Sequence, residues 1–208
     1  TDTCLTTVKN RFLQGLLMAS VILLASVSHG QQWSRFRGPN GQGIGSPALS
    51  SPPRGADTIP IKWTENDYNW KIRLPGTGHS SPVLWKDKVF ITSGDKEAAR
   101  GIILAVSVSD GKVLWQKEYP LTAYRMNRGN SYATATPAVD ANHIYALWPT
   151  LKETMLVALS HEGNEVWRRT FEGVHCQHGA GSSPIVFEDI VVFTQEHEDS
   201  EKGARSAW

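Results

Sequence analysis

The sequence contains very few cysteines. Cys4 and Cys176 are the only two among 208 residues, and Cys4 lies ahead of the apolar stretch of residues 12–27. Removal of residues 1–30 on export would leave a single cysteine, which allows no internal disulfide. The fold must therefore be held together by packing and by backbone pairing.

The chain also lacks an excess of charge of either sign. It has 21 Lys and Arg residues against 20 Asp and Glu residues, a formal net charge of +1. Residues 1–30 contain Lys9, Arg11 and Asp2, so basic and acidic residues balance in the remainder. A nucleic-acid-binding protein needs a basic excess clustered on one face. We therefore expect no nucleic-acid partner.

A long apolar run occurs only near the start of the sequence. Lys9 and Arg11 precede the uncharged stretch of residues 12–27, and small residues follow it. This order predicts a secretory signal peptide over residues 1–30, cleaved before Gln31. The alternative is an uncleaved membrane anchor, for which the run is short. We expect export to the periplasm or cell envelope of a bacterium, with membrane contact only through residues 12–27 if they are uncleaved.

Beyond residue 30 no stretch keeps the 3.6-residue apolar period of a helix. Val, Ile and Thr fill the apolar runs instead, which favours β-strands. Residues 31–60 are rich in Gly, Pro, Ser and Gln, so we interpret them as an irregular N-terminal segment that packs on the following domain or links to it.

The remainder of the chain repeats itself. Three tryptophans each close a similar segment, and after each comes a small or hydroxyl-bearing pair of residues followed by a proline. These markers are Trp70, Trp115, Trp167, Pro82, Pro137 and Pro184. Self-similarity with a period of roughly 40 to 50 residues is typical of solenoids and propellers.

The clearest unit contains four short strand-like runs. They cover residues 81–85, 88–92, 102–108 and 113–119, and turn residues such as Asp110-Gly111 separate them. Four antiparallel strands per repeat make a β-propeller blade. A β-sandwich also has evenly spaced short strands, but it gives no reason for whole blocks to recur in the same order.

The later units match the first. The second unit has runs at residues 136–139, 143–148, 155–160 and 165–171. The third begins at Pro184, continues through residues 190–194 and then stops. We therefore predict an all-β fold, a partial β-propeller over residues 61–208 with about two and a half four-stranded antiparallel blades, incomplete at the C-terminus.

The repeat also predicts the places of its tryptophans. We expect Trp115 and Trp167 to pack between neighbouring blades, where a large flat side chain fills the wedge. Residues 70–74 could be a strand that completes the last blade and closes the ring.

The repeat resembles a known family. Residues 104–115 are similar to the repeat of pyrroloquinoline-quinone (PQQ) propellers, a superfamily that includes quinoprotein alcohol dehydrogenases and a lipoprotein that assists outer-membrane protein assembly. Residues 33–41, at the start of the mature chain, resemble exported PQQ-like propeller proteins of planctomycete-type bacteria. The resemblance covers residues 33–208. It implies an eight-bladed propeller, of which this chain is an N-terminal part.

Two segments attract attention as polar clusters. His175, Cys176 and His178 are weak metal candidates, because adjacent residues cannot easily point their ligand atoms at one ion. We expect a polar loop there and no metal. Residues 197–201 are interpreted as an acidic, solvated loop.

A second set of polar residues precedes the inner strands. In a propeller these segments surround one mouth of the central channel, and a concave mouth with a few placed polar groups is a common ligand site. The alternative is that the hydroxyl groups cap strand ends. The predicted ligand-binding residues are His79, Ser80, Ser81, Asn130, Ser131, Tyr132, His178 and Ser182.

The resemblance makes PQQ the cofactor to consider. Quinoprotein dehydrogenases of this superfamily have an adjacent cysteine pair and a calcium site of Glu, Asn and Asp, yet this sequence has no adjacent cysteines. We assign no catalytic residue, and the family resemblance is the only ground for PQQ as a cofactor. The sequence favours a non-catalytic exported scaffold for an unknown protein or a polar small molecule. The alternative is a periplasmic PQQ-dependent oxidoreductase whose catalytic residues lie in further blades.

Overall fold

The structure, a computed structural model, describes residues 32–43, 62–175, 181–199 and 203–207. Residues 31–208 group as one unit, separate from residues 1–30. The predicted signal peptide lies outside the described residues. In the described part of the chain, no helix is long and apolar enough to cross a membrane.

The first blade is a four-stranded antiparallel sheet. Its strands are β1 (Val83–Trp85), β2 (Lys88–Asp95), β3 (Arg100–Ser107) and β4 (Val113–Pro120), paired in chain order. A one-turn 3-10 helix, Glu65–Asp67, precedes them.

The second blade repeats this sheet. Its strands are β5 (Ala138–Val139), β6 (His143–Pro149), β7 (Glu153–Ser160) and β8 (Glu165–Glu172). The register shifts after Ala105 in the first blade and after Ala158 in the second, so even the bulges are equivalent. Pro82 and Pro137 each stand one residue before the innermost strand of their blade. The prediction of an all-β partial propeller is confirmed.

The third unit differs in its ending from the sequence prediction. Strands β9 (Ile185–Phe187) and β10 (Ile190–Val192) pair with each other, and β11 (Gln195–Asp199) pairs with β12 (Gly203–Ala207). The prediction that the unit stops after residue 194 was therefore wrong. The loop predicted at residues 197–201 was wrong for residues 197–199, which belong to β11, whereas residues 200 and 201 lie outside the described residues. Backbone pairing alone is enough to form a hairpin, so polar side chains did not prevent it.

The blades stack face against face. One face of the first blade packs in a common core with the second blade. The opposite face of the second blade packs on the third unit. In the first contact the main residues are Val83, Phe90, Ile103 and Ala105 against Ile144, Ala146, Val157 and Leu159. In the second they are Ala138, Tyr145, Leu156 and Ala158 against Val186, Val191 and Phe193. Alternate strand residues therefore serve opposite blade interfaces.

The tryptophans join consecutive units, as predicted. The Trp115 indole N–H donates to the His161 carbonyl at 2.9 Å, and its ring lies against Gly163 in the β7–β8 turn. Trp70 does the same one unit earlier, with a 2.7 Å bond to the Val108 carbonyl and its ring against Gly111.

The other two tryptophan predictions have different outcomes. Trp167 packs against the core that the second blade shares with the third unit, and its ring lies 6.0 Å from that of Tyr145. Residues 70–74 form no strand, although Trp70, Ile72 and Leu74 cover part of a face of the first blade. Their role in ring closure stays a prediction.

Candidate functional site

The segments that lead into the innermost strands meet at one end of the blades. The backbone N–H groups of His79 and Ser80 both donate to the Ala133 carbonyl, each at 2.9 Å. The entry segment of the first blade thus rests directly on that of the second. We refer to residues 78–82, 130–137 and 181–184 as the mouth.

A chain of hydrogen bonds runs across the mouth from unit to unit. The Ser81 N–H donates to the Thr136 hydroxyl at 2.9 Å, and the Thr136 N–H donates to the Ser183 hydroxyl at 3.0 Å. All three residues directly precede the proline of their unit. This hydroxyl belt links three consecutive units through one repeated position.

A second hydroxyl pair ties each entry segment to its own blade. Ser80 Oγ accepts the Thr92 N–H at 3.3 Å and donates to the Thr92 carbonyl at 3.2 Å. Ser182 Oγ accepts the Thr194 N–H at 3.1 Å in the third unit. These serines satisfy backbone groups of their own units, as the alternative interpretation of their position expects.

The second blade replaces this polar pair by an apolar one. Ala135 and Leu147 stand at the equivalent positions, and both are buried. The Thr92 hydroxyl of the first blade donates to the Ala135 carbonyl at 3.0 Å. The two members of the pair therefore change together between units, and this joint change is visible in the repeated sequence.

The middle of the mouth is organised by Asn130. Its Oδ1 accepts the Ser131 N–H at 2.8 Å and a short hydrogen bond from the Thr134 hydroxyl. The Ser131 hydroxyl is buried and has no partner among the described residues. Tyr132 is only 3% exposed and packs edge-on against Tyr124, and burial raises the pKa of its phenol. Tyr132 is therefore a packing residue of the mouth.

The other predicted site residues are distributed unevenly. The His79 side chain is exposed at the mouth, whereas Ser182 is half-buried. Cys176 and His178 lie outside the described residues. His175 is exposed, with its ring 6.2 Å from that of His197. Ligand binding by any of them stays a prediction.

The mouth does not fit a calcium–quinone site in the part that the structure describes. Calcium needs several converging oxygen ligands, including carboxylates. Residues 78–82, 130–137 and 181–184 contain no Asp or Glu. Across the described residues as a whole, no three His, Cys, Asp or Glu side chains converge. The donors present at the mouth are hydroxyl, amide and imidazole groups.

A titratable cluster lies at the β5–β6 turn, on the opposite end of the blades. The Asp140 carboxylate accepts hydrogen bonds from the backbone of Asn142 and His143 and from the Tyr145 hydroxyl at 2.8 Å. Burial opposes its ionisation, but these bonds outweigh burial and lower its pKa. Burial and the Asp140 charge together raise the pKa of Tyr145. Each carboxylate bond closes the turn, so the cluster has a structural role.

An apolar groove of about 620 Å³ lies on the free face of the first blade. Its walls include Trp33, Trp70, Ile72, Leu74, Leu84, Val89, Ile91 and Val106. The equivalent face of the second blade is the one that packs on the first blade. The groove therefore has the chemistry of a blade-to-blade contact.

Replacing Thr136 by valine should destabilise the protein by about 1–3 kcal/mol, because the Ser81 N–H loses its acceptor in a water-excluded position. Thr136 is 1% exposed, so water cannot substitute for the hydroxyl. Urea unfolding followed by circular dichroism measures the loss. Thr170→Val on the exposed face of β8 is the control and should change little. Equal losses of unfolding free energy in Thr136→Val and Thr170→Val would show that the hydroxyl belt contributes nothing to stability.

Comparison with known proteins gives a matching family model and similar solved structures. The family model described as "Outer membrane protein assembly factor BamB" matches residues 57–198. The crystal structure of BamB from Moraxella catarrhalis is similar with a TM-score of 0.41 and 17% identity, over 66% of this chain and 41% of that chain. This chain thus spans less than half the length of that protein. No curated protein sequence matches it.

Proposed function

This chain belongs to the family of BamB-like PQQ-repeat β-propellers, and on that premise we propose that it is an exported, non-catalytic scaffold. It binds another protein or a polar small molecule at its mouth. The family description names an assembly factor, which is a binding function, and the chemistry of the mouth supports the same class.

The observation that carries the proposal is the hydroxyl belt with its exposed neighbour His79. The belt fixes three entry segments as one surface, because Thr136 both accepts from Ser81 and donates to Ser183. A surface that is rigid before binding loses little entropy when a ligand docks. The exposed imidazole of His79 offers a hydrogen-bonding group beside the belt. These properties suit a polar, neutral ligand.

Export rests on the sequence of residues 1–30, which has the order of a signal peptide. The family description, which refers to outer-membrane protein assembly, supports the same compartment. N-terminal sequencing of protein purified from a bacterial host should find a mature chain beginning at or near Gln31. An intact apolar stretch at residues 12–27 would favour a membrane anchor.

Binding is tested with peptides from envelope proteins and with neutral oligosaccharides, screened by tryptophan fluorescence. The proposal expects at least one saturable ligand, whose affinity falls about fivefold or more in His79→Ala since a ligand hydrogen bond is worth roughly 1 kcal/mol. Lys117→Ala, exposed on β4, is the matched control and should bind normally. If every ligand found binds His79→Ala as tightly as the wild type, recognition lies elsewhere than at His79.

The oxidoreductase alternative is tested separately. Quinone titration with calcium, followed by dye reduction with simple alcohols, should give neither stoichiometric binding nor turnover. The expectation follows from the absence of carboxylates in the described mouth segments. Alcohol-dependent turnover with bound quinone would contradict the scaffold proposal.

A further inference from the structure

The segment of residues 33–43 adds a rung to the innermost strand of the first blade. The Trp33 N–H donates to the Leu84 carbonyl and the Leu84 N–H donates to the Trp33 carbonyl, both at 2.9 Å. Leu84 lies in β1, whose other edge is paired with β2. The bond pair therefore uses the edge of β1 that faces the propeller axis.

The same segment continues to the second blade. The Val139 N–H in β5 donates to the Ser34 carbonyl at 2.8 Å. The other edge of β5 is paired with β6, so this contact also lies on the axis-facing edge. Two consecutive innermost strands thus bind one extended dipeptide through backbone groups.

The third unit contributes a wall to the same contact. A cavity of about 220 Å³ lies between the segment and the inner strands. The segment lines it with Ser34, Arg35 and Pro39, and the strands line it with Val139 of β5 and with Ile185, Val186 and Phe187 of β9. The segment consequently reaches all three units of the described propeller.

Internal contacts hold the segment in its bound shape. The Arg35 guanidinium donates to the Pro39 carbonyl at 3.0 Å, and the Gly43 N–H donates to the Arg37 carbonyl at 2.8 Å. Gly38 has a φ of 78°, and a Cβ there would lie 2.8 Å from the Trp33 ring. A side chain at residue 38 would therefore displace the tryptophan.

From these contacts we propose that the axis-facing edges of β1 and β5 form a binding site for a short extended peptide stretch, which Trp33 and Ser34 occupy in cis while residues 35–43 fold back in turns. Strand addition supplies affinity through main-chain hydrogen bonds, and neighbouring pockets supply specificity through side chains. The half-buried Trp33, which lines the apolar groove with Leu84, is the anchoring side chain. This inference goes beyond the proposed function and does not depend on it.

The site lies apart from the hydroxyl belt. Leu84 lies three residues beyond Ser81, which is about 10 Å along an extended strand. The segment therefore contacts the inner strands at a distance from the hydroxyl belt.

The first experiment supplies the segment in trans. A full-length variant has residues 32–43 replaced by a Gly-Ser linker of equal length, and a synthetic peptide of residues 32–43 is titrated into it by calorimetry. We expect one peptide per chain and a raised melting temperature, whereas the wild type, already occupied, binds none. A Gly38→Ala peptide is the control and should bind at least tenfold more weakly. The proposal would be overturned if the folded linker variant did not bind the peptide. It would also be overturned if the wild type bound the peptide as tightly as the linker variant does.

A second measurement covers the case in which the linker variant does not fold. Amide hydrogen exchange is compared between the wild type and the full-length Gly38→Ala variant. The Leu84 and Val139 amides should exchange at least tenfold faster in the variant, while those of Ile103 and Ala105 in the blade interior keep their protection. Unchanged protection of Leu84 and Val139 would overturn the proposal.

Discussion

Replacement of Trp148 by alanine is expected to destabilise the protein by about 3–5 kcal/mol, because it empties the largest side chain from the core between the first two blades. Trp148 is 0% exposed and its ring lies 5.0 Å from that of Tyr119. Gly101 in β3 makes room for it, since a Cβ at residue 101 would lie 2.5 Å from the indole nitrogen. Urea unfolding followed by circular dichroism measures the loss.

Two controls separate packing from other effects of that change. Trp148→Phe keeps most of the ring and removes an indole N–H that has no partner among the described residues, so it should cost clearly less. Trp63→Ala removes a tryptophan that is 59% exposed and should cost about 1 kcal/mol or less. A Trp148→Ala variant no less stable than Trp63→Ala would contradict the packing of the two blades described above.

Replacement of Gly163 by alanine is the second large expected effect, a loss of about 2–4 kcal/mol. Gly163 has a φ of 84°, which costs an alanine roughly 1–2 kcal/mol. The added Cβ would also lie 2.7 Å from the Trp115 ring and would push it off the turn. The indole bond to the His161 carbonyl should then be lost. Thermal unfolding measures the stability, and tryptophan fluorescence measures the change in the environment of the Trp115 ring.

A double-mutant cycle isolates the contribution of the ring contact. In a Trp115→Ala background, Gly163→Ala should cost at least about 1 kcal/mol less than in the wild type, because only the backbone strain remains. Gly129→Ala is the control, since its added Cβ would have its nearest neighbour at 3.7 Å. Identical costs in both backgrounds would mean that the tryptophan does not press on the turn.

The sequence was sufficient to predict the blades because strand pairing in a propeller is local. Each blade strand pairs with its sequence neighbour, so alternation, turns and period contained the needed information. The tryptophan contacts followed from the same period, because Trp115 reaches only as far as the next unit. The observed strands differ from the predicted ones by a few residues at their ends. For example, β2 was predicted over residues 88–92 but continues to Asp95, because its backbone pairing with β3 continues that far.

The site was less predictable because its contacts join separate units. Ser81 and Thr136 were visible as similar motifs, but the bond between them depends on how two blades sit side by side. Tyr132 was assigned to a ligand site from its position before β5, whereas the structure buries it against Tyr124. A polar position next to a strand does not reveal whether its side chain faces the mouth or the core.

The contact between Ser34 and Val139 has a kinetic consequence. Hairpins between adjacent strands form early, since their ends are close in the sequence. Ser34 can bind β5 only after β5 has formed in the second blade, and the loop between Ser34 and Val139 is long, so closing it costs chain entropy. We therefore expect the N-terminal segment to dock last during folding. Its docking then requires that the innermost strands have already formed.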